Sequence, residues 1–224
     1  MSASQGSAQL SQPTEDRLLE SDNDIISEEG QSVEQGCVIW LTGLPSSGKS
    51  TIGNSLAKRL RLQGLKVEIL DGDDIRKCLS ADLGFSAEDR QEHNRRVIYI
   101  SKLLSRNGIT VIVPLIAPYK ETREFARREL ARYVEVYVKC PVEECIRRDV
   151  KGLYAKALRG ELLGFTGISD PYEEPSNPEI TVETDVLTLR QCMDRIINVA
   201  IERGYLNGTF PHHTDEDGEK RGRL

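Results

Sequence analysis

Eight consecutive residues, Gly43-Leu44-Pro45-Ser46-Ser47-Gly48-Lys49-Ser50, carry the spacing G-x-x-x-x-G-K-[ST]. Such a loop turns its backbone amides inward around an anion, and glycine omits the side chain where main chain meets phosphate. Lys49 is spaced to reach the β- and γ-phosphates of a nucleoside triphosphate, and the Ser50 hydroxyl to ligate Mg²⁺. The loop alone specifies the triphosphate and no more, because kinases, GTPases and motor ATPases share it.

Asp71-Gly72-Asp73 narrows the choice. It follows a short β-rich run, so both carboxylates are expected at a strand end, facing the mouth of the site. One could act as base toward an acceptor hydroxyl while the other supports the metal. A P-loop ATPase or GTPase would carry an acid on a buried strand. Here that run reads Val113-Pro114-Leu115-Ile116-Ala117-Pro118, without one. Arginines recur at Arg76, Arg90, Arg95, Arg96, Arg123, Arg127, Arg128, Arg147 and Arg148, and their planar forks suit phosphate and sulfate oxygens. Arg128, in a Glu/Arg-patterned helix, reads as surface. The stretch Arg148 to Gly167 is cationic and glycine-hinged, as a lid over charged substrates must be. Phe165 within it is costly to expose unless it stacks on something such as a purine.

Strand and helix signals alternate around these residues. Strands are expected at Cys37–Leu41, Val67–Leu70, Thr110–Ile116, Val134–Val138 and Ile180–Glu183. Helices are expected over Ser50–Gln63, from a Ser86 capping box to Gly108, at Glu121–Ala131, Pro141–Arg148 and Thr188–Arg203. Residues 150–178 read as a long mobile segment outside the core. The alternation implies an α/β fold with a parallel sheet between helix layers, and ligands bind beyond the carboxyl ends of such strands.

Composition bounds the rest. The 224 residues include 38% hydrophobic and 29% charged residues, enough for one sizeable core. Residues 1–35 hold eight acids against Arg17, so the net charge of −6 leaves residues 36–224 close to neutral, about +1. That balance argues against a nucleic-acid partner. No apolar run approaches the roughly 20 residues a membrane span needs. Five scattered cysteines without Cys-x-x-Cys favour free thiols and a cytoplasmic setting. We expect a disordered acidic leader over 1–35, a catalytic domain over 36–208 and a disordered tail over 209–224.

Several motifs in one order make the chain similar to adenylylsulfate (APS) kinases. They are Trp40-Leu41-Thr42-Gly43-Leu44, Leu70-Asp71-Gly72-Asp73-Asp74-Ile75-Arg76, Leu83-Gly84-Phe85-Ser86 with Asp89-Arg90, and Arg95-Arg96. Ile116-Ala117-Pro118-Tyr119 follows, then Arg148 to Ile168, then Asp170-Pro171-Tyr172-Glu173 and Pro175. The resemblance covers about Gly36 to Tyr205. It implies a P-loop kinase sandwich of five parallel strands with a mobile lid, a homodimer, and ATP-dependent phosphorylation of the 3'-hydroxyl of APS, giving PAPS and ADP. Carried over by position, Gly43 to Ser50 with Thr51 and Arg148 would hold ATP. Asp73, Arg76, Phe85, Arg90, His93, Ile116, Ala117, Lys151, Phe165 and Thr166 would meet APS, with Phe85 and Phe165 sandwiching its adenine. Asp71 is favoured over Asp73 as the base, with Lys49 the third catalytic residue. Two departures stand out. Ala117 replaces a serine regarded as a phosphorylation site, so transfer here must be direct, and His93 replaces an asparagine that contacts APS. Other readings from these residues are a different small-molecule P-loop kinase, a non-catalytic APS- or PAPS-binding protein, and a fragment of a bifunctional sulfurylase–kinase.

Overall fold

The computed structural model describes residues 35–208 and Phe210. The expected leader apart from Gln35, and the expected tail apart from Phe210, lie outside the described residues. Five strands, β1 (Val38–Thr42), β2 (Val67–Ile69), β3 (Thr110–Pro114), β4 (Tyr133–Lys139) and β5 (Ile180–Glu183), form one parallel sheet in the order β2-β3-β1-β4-β5. β1 and β3 are buried along their whole length, which is why they read as unbroken apolar runs.

Strand alternation separates two cores. Cys37, Ile39 and Leu41 face one layer, where Ile52, Leu56 and Leu60 of α1 (Lys49–Leu62) meet Cys192, Ile196 and Ile197 of α7 (Leu189–Glu202). Val38 and Trp40 face the other, against Val97 and Ile98 of α3 (Ala87–Arg106) and Ala126 of α4 (Lys120–Glu129). Helices thus cover both faces, as expected of the P-loop kinase sandwich.

Three expectations are corrected. Asp71-Gly72-Asp73 opens a helix, α2 (Gly72–Leu79), that the glycine had obscured. The Ser86 cap is only half a capping box: its hydroxyl accepts from Asp89 N, but the Asp89 carboxylate turns to the Gly84 amide at 3.0 Å. Residues 150–178 are not wholly outside the core. After α5 (Val142–Arg148), α6 (Leu153–Leu158) contributes Tyr154 and Ala157 to a third cluster with Cys140, Cys145 and Phe165. Val150, Leu158 and Leu163 remain exposed on its outside. The five cysteines are free, and only Cys78 is exposed. Among the described residues no helix is long and apolar enough to cross a membrane.

Candidate active site

The loop between β1 and α1 is shaped by three left-handed residues: Gly43 (φ 154°), Ser46 (φ 59°) and Gly48 (φ 102°). At Gly43 a Cβ would fall 2.4 Å from the Val138 carbonyl oxygen, so the loop's passage beside β4 excludes every other residue. Lys49 is buried and its Nζ donates to the Leu44 carbonyl at 2.6 Å. Burial pushes its ammonium down to about 8, and Lys151 adds to this against the opposing pull of Asp71 and Asp73. A polyphosphate is the counter-charge this cation lacks.

Asp71 sits across from the loop. As N-cap of α2 it accepts from Asp73 N through Oδ1, while Oδ2 accepts from the Ser50 hydroxyl, both at 3.0 Å. Its carboxylate is therefore fixed in direction beside the start of α1. At Gly72 a Cβ would lie 2.3 Å from Leu115 Cδ2, so a larger residue there would make the Leu115 side chain shift where α2 meets the chain leaving β3. Asp73 is exposed and pairs with Lys151, which brings the lid segment to the aspartates.

The other candidates gather round Arg90. Its Nε donates to the Phe85 carbonyl at 3.0 Å, Nη1 to the Thr166 hydroxyl at 2.6 Å, and Nη2 to the Gly164 carbonyl. One guanidinium thus holds the backbone at Phe85 and, on either side of Phe165, the Gly164 backbone and the Thr166 side chain. Arg76 donates to the Gly84 carbonyl and lies over the Phe85 ring, 4.7 Å from its centre. Phe85 is 71% exposed, an arrangement suited to receiving a planar ligand. Phe165 is instead buried edge-on against Tyr154, so its ring is covered by protein rather than presented as an open stacking face.

Four further residues are placed differently from the simplest reading. Arg148 spends its donors on Glu144 and on the hydroxyl and carbonyl of Thr184, and the Thr184 hydroxyl donates to the Ser47 carbonyl at 2.8 Å. It stands behind the loop, one residue removed from it. His93 is buried, with Nδ1 2.9 Å from the Ser80 hydroxyl. Burial, then Arg76 and Arg96, lowers its imidazolium to about 4, so the ring is neutral at pH 7. Ala117 is buried at φ 40° and its carbonyl accepts from Arg123. Ile116 receives the Thr42 hydroxyl on its carbonyl at 2.6 Å.

The arginines expected to face anions divide accordingly. Arg123 and Arg127 bind Glu135, Arg96 binds Asp82 and Glu92, and Arg147 binds Glu144. These are scaffold pairs. Arg128 is exposed, as its helix pattern implied.

A family model described as adenylylsulphate kinase matches residues 35–183. The chain belongs to the adenylylsulphate kinase family. A probable adenylyl-sulfate kinase of Pyrococcus abyssi is 55% identical over 172 residues, 77% of this chain and 99% of the relative. An adenylyl-sulfate kinase of Picosynechococcus is 49% identical over 172 residues, 77% of this chain and 97% of the relative. A solved structure of the Mycobacterium tuberculosis APS kinase in complex with AMPPNP and APS is 39% identical with a TM-score of 0.73. It covers 75% of this chain and 98% of that one.

Within this adenylylsulphate kinase chain, residue-type reasoning overlooked Tyr154, Thr184 and Tyr172, all uncharged. Tyr154 donates to the Pro45 carbonyl, and the Tyr172 hydroxyl is 3.0 Å from that of Thr42. The only sequence signal was position: Tyr154 and Tyr172 lie in runs that carry the family likeness, and Thr184 directly follows the last strand.

Proposed function

We propose that this chain is an adenylyl-sulfate kinase that transfers the γ-phosphoryl group of ATP to the 3'-hydroxyl of APS, giving PAPS and ADP. The reading is carried by the contact between Ser50, first residue after the loop lysine, and Asp71, which leads into the arginine and aromatic cluster. It joins a phosphoryl-donor cradle to an acceptor site.

The loop amides and Lys49 hold the triphosphate. Ser50 Oγ, hydrogen-bonded to Asp71 Oδ2, is a hard oxygen donor of the sparse kind Mg²⁺ accepts while keeping water and phosphate oxygens. Mg²⁺ held by Ser50 would supply charge neutralisation to the triphosphate. Asp71, held by two hydrogen bonds, accepts the proton of the 3'-hydroxyl. Asp73 and Lys151 adjust to the sulfonucleotide as their ion pair opens. Arg76, Phe85, Arg90 and Thr166 orient APS, and Phe165 backs the adenine side from its seat on Tyr154. Orientation of this kind supplies roughly 7–11 kcal/mol of barrier reduction. With alanine at 117, no phosphoenzyme forms at that position and transfer is direct and in line.

The reading includes a cytoplasmic setting, which the free thiols favour, and a homodimer, which sedimentation equilibrium tests. The test of activity is ADP release by the purified chain with ATP, Mg²⁺ and APS, with PAPS measured in parallel. Stoichiometric, APS-dependent ADP and PAPS support the assignment. Tight PAPS binding without ADP release would replace it with a non-catalytic binding role.

A further inference from the structure

One buried side chain touches both halves of the site. Tyr154, fully buried in α6, donates its hydroxyl to the Pro45 carbonyl of the phosphate loop at 3.0 Å. Its ring meets Phe165 edge-on, with centres 4.9 Å apart and planes at 82°. Asp149 fixes its backbone, accepting from the Tyr154 and Ala155 amides at 2.9 and 3.0 Å.

The Pro45 contact bears on phosphate binding through peptide geometry. A trans peptide is planar, with its C=O and N–H opposed, and no described peptide is cis. Drawing the Pro45 carbonyl to Tyr154 therefore turns the Ser46 N–H away from Tyr154. Ser46 is left-handed at φ 59°, a conformation serine keeps only where its surroundings over-determine it. On the other side, Arg90 grips Gly164 and Thr166, so the position of Phe165 is set jointly by Arg90 and by Tyr154.

We propose that Tyr154 is a positioning residue that couples nucleotide binding to APS binding: the state that orders the phosphate loop is the state that seats Phe165. The proposal rests on the kinase reading above. It requires that each ligand tighten the other by the same factor, since linkage is reciprocal.

Tyr154→Phe keeps the ring and removes the hydroxyl, with its bond to the Pro45 carbonyl and its contact with Cys145. Calorimetry gives APS affinity with and without AMPPNP, and AMPPNP affinity with and without APS. In the unaltered protein the mutual factor is expected at roughly 10-fold. In Tyr154→Phe it falls to within about twofold of unity, with the affinity for APS alone unchanged. The KM for each substrate, measured at saturation of the other, rises by the lost factor. A merely structural role would lower stability and leave the coupling factor alone. Phe165→Leu, which breaks the edge contact from the other side, lowers the same factor while leaving AMPPNP affinity in the absence of APS unchanged, and decides the matter if Tyr154→Phe does not fold. Coupling in either folded variant equal to that of the unaltered protein overturns the proposal, as does absence of coupling in an active unaltered protein. Absence of APS-dependent ADP release from the unaltered protein instead overturns the kinase reading itself.

Discussion

Lys49 shows how a binding site stores an unmet electrostatic demand. Its ammonium is lowered to about 8 because burial penalises the charge and the local carboxylates only partly compensate. A bound triphosphate favours the charged form, so the lysine's proton affinity must rise on binding. Above about pH 8, where the nucleotide phosphates are already ionised, binding should therefore take up a proton and weaken with rising pH. Titration calorimetry at pH 8.5 in two buffers of different ionisation enthalpy measures that uptake, and a value of zero would contradict the account. Asp71 makes a separate prediction. Its two oxygens are already directed, so Asp71→Asn should retain nucleotide binding while lowering kcat by about 10²–10⁴. A near-normal kcat would remove it as base. His93 adds a pH effect of opposite origin. Because the folded protein holds this ring neutral down to about pH 4 while the unfolded chain protonates near 6.5, stability is present above 6.5 and is lost as pH falls toward 4. His93→Asn, which does not titrate, should flatten this acid limb by on the order of 2 kcal/mol in denaturant unfolding.

The elements that carry these side chains depend on a buried ion pair in α4. Arg123 reaches Glu135 on β4 at 3.0 Å and also donates to the carbonyls of Ala117 and Glu173 at 2.7 and 2.5 Å. It ties the floor of the acceptor site to the segment that follows the lid. Arg123→Met leaves Glu135 buried with only Arg127, and should cost about 3–5 kcal/mol of unfolding free energy. A loss below about 1 kcal/mol would mean the pair is not a constraint. This pair was not legible in the sequence, where Arg123 looked like any other arginine of a basic helix, because long-range pairing has no local signal. The sheet and the phosphate loop were legible, since burial on both faces forces apolar strands and a phosphate cradle forces glycine at fixed offsets. α2 lay between these cases. Asp71 as cap, Asp73 and Asp74 in the first turn, and Arg76 and Lys77 in the last are helix signals, but Gly72 suggested a turn. That glycine answers to Leu115, a partner more than forty residues away, which only the folded chain brings near.

At the scale of the whole molecule, stability is distributed so that the chemistry can be enclosed and released. The two large cores flank the sheet and contain the roots of the phosphate loop and of α2. The lid is held by a far smaller cluster, Cys140, Cys145, Tyr154, Ala157 and Phe165, with Leu44 of the loop packed against it and Val150, Leu158, Leu163 and Ile168 left outside. Local opening free energy follows buried contact, so the lid should open by itself while the sheet opens only when the protein unfolds. Bound APS and nucleotide add contacts that exist only in the closed arrangement, which excludes water and limits wasteful hydrolysis of ATP. Native-state hydrogen exchange separates these levels. Amides of residues 153–158 should exchange at least about 100-fold faster than those of β1 and β3 in the free protein, and slow markedly with AMPPNP and APS together. Exchange of the lid at the rate of the sheet, or no slowing with both ligands present, would show that the segment is a fixed wall rather than a moving cover.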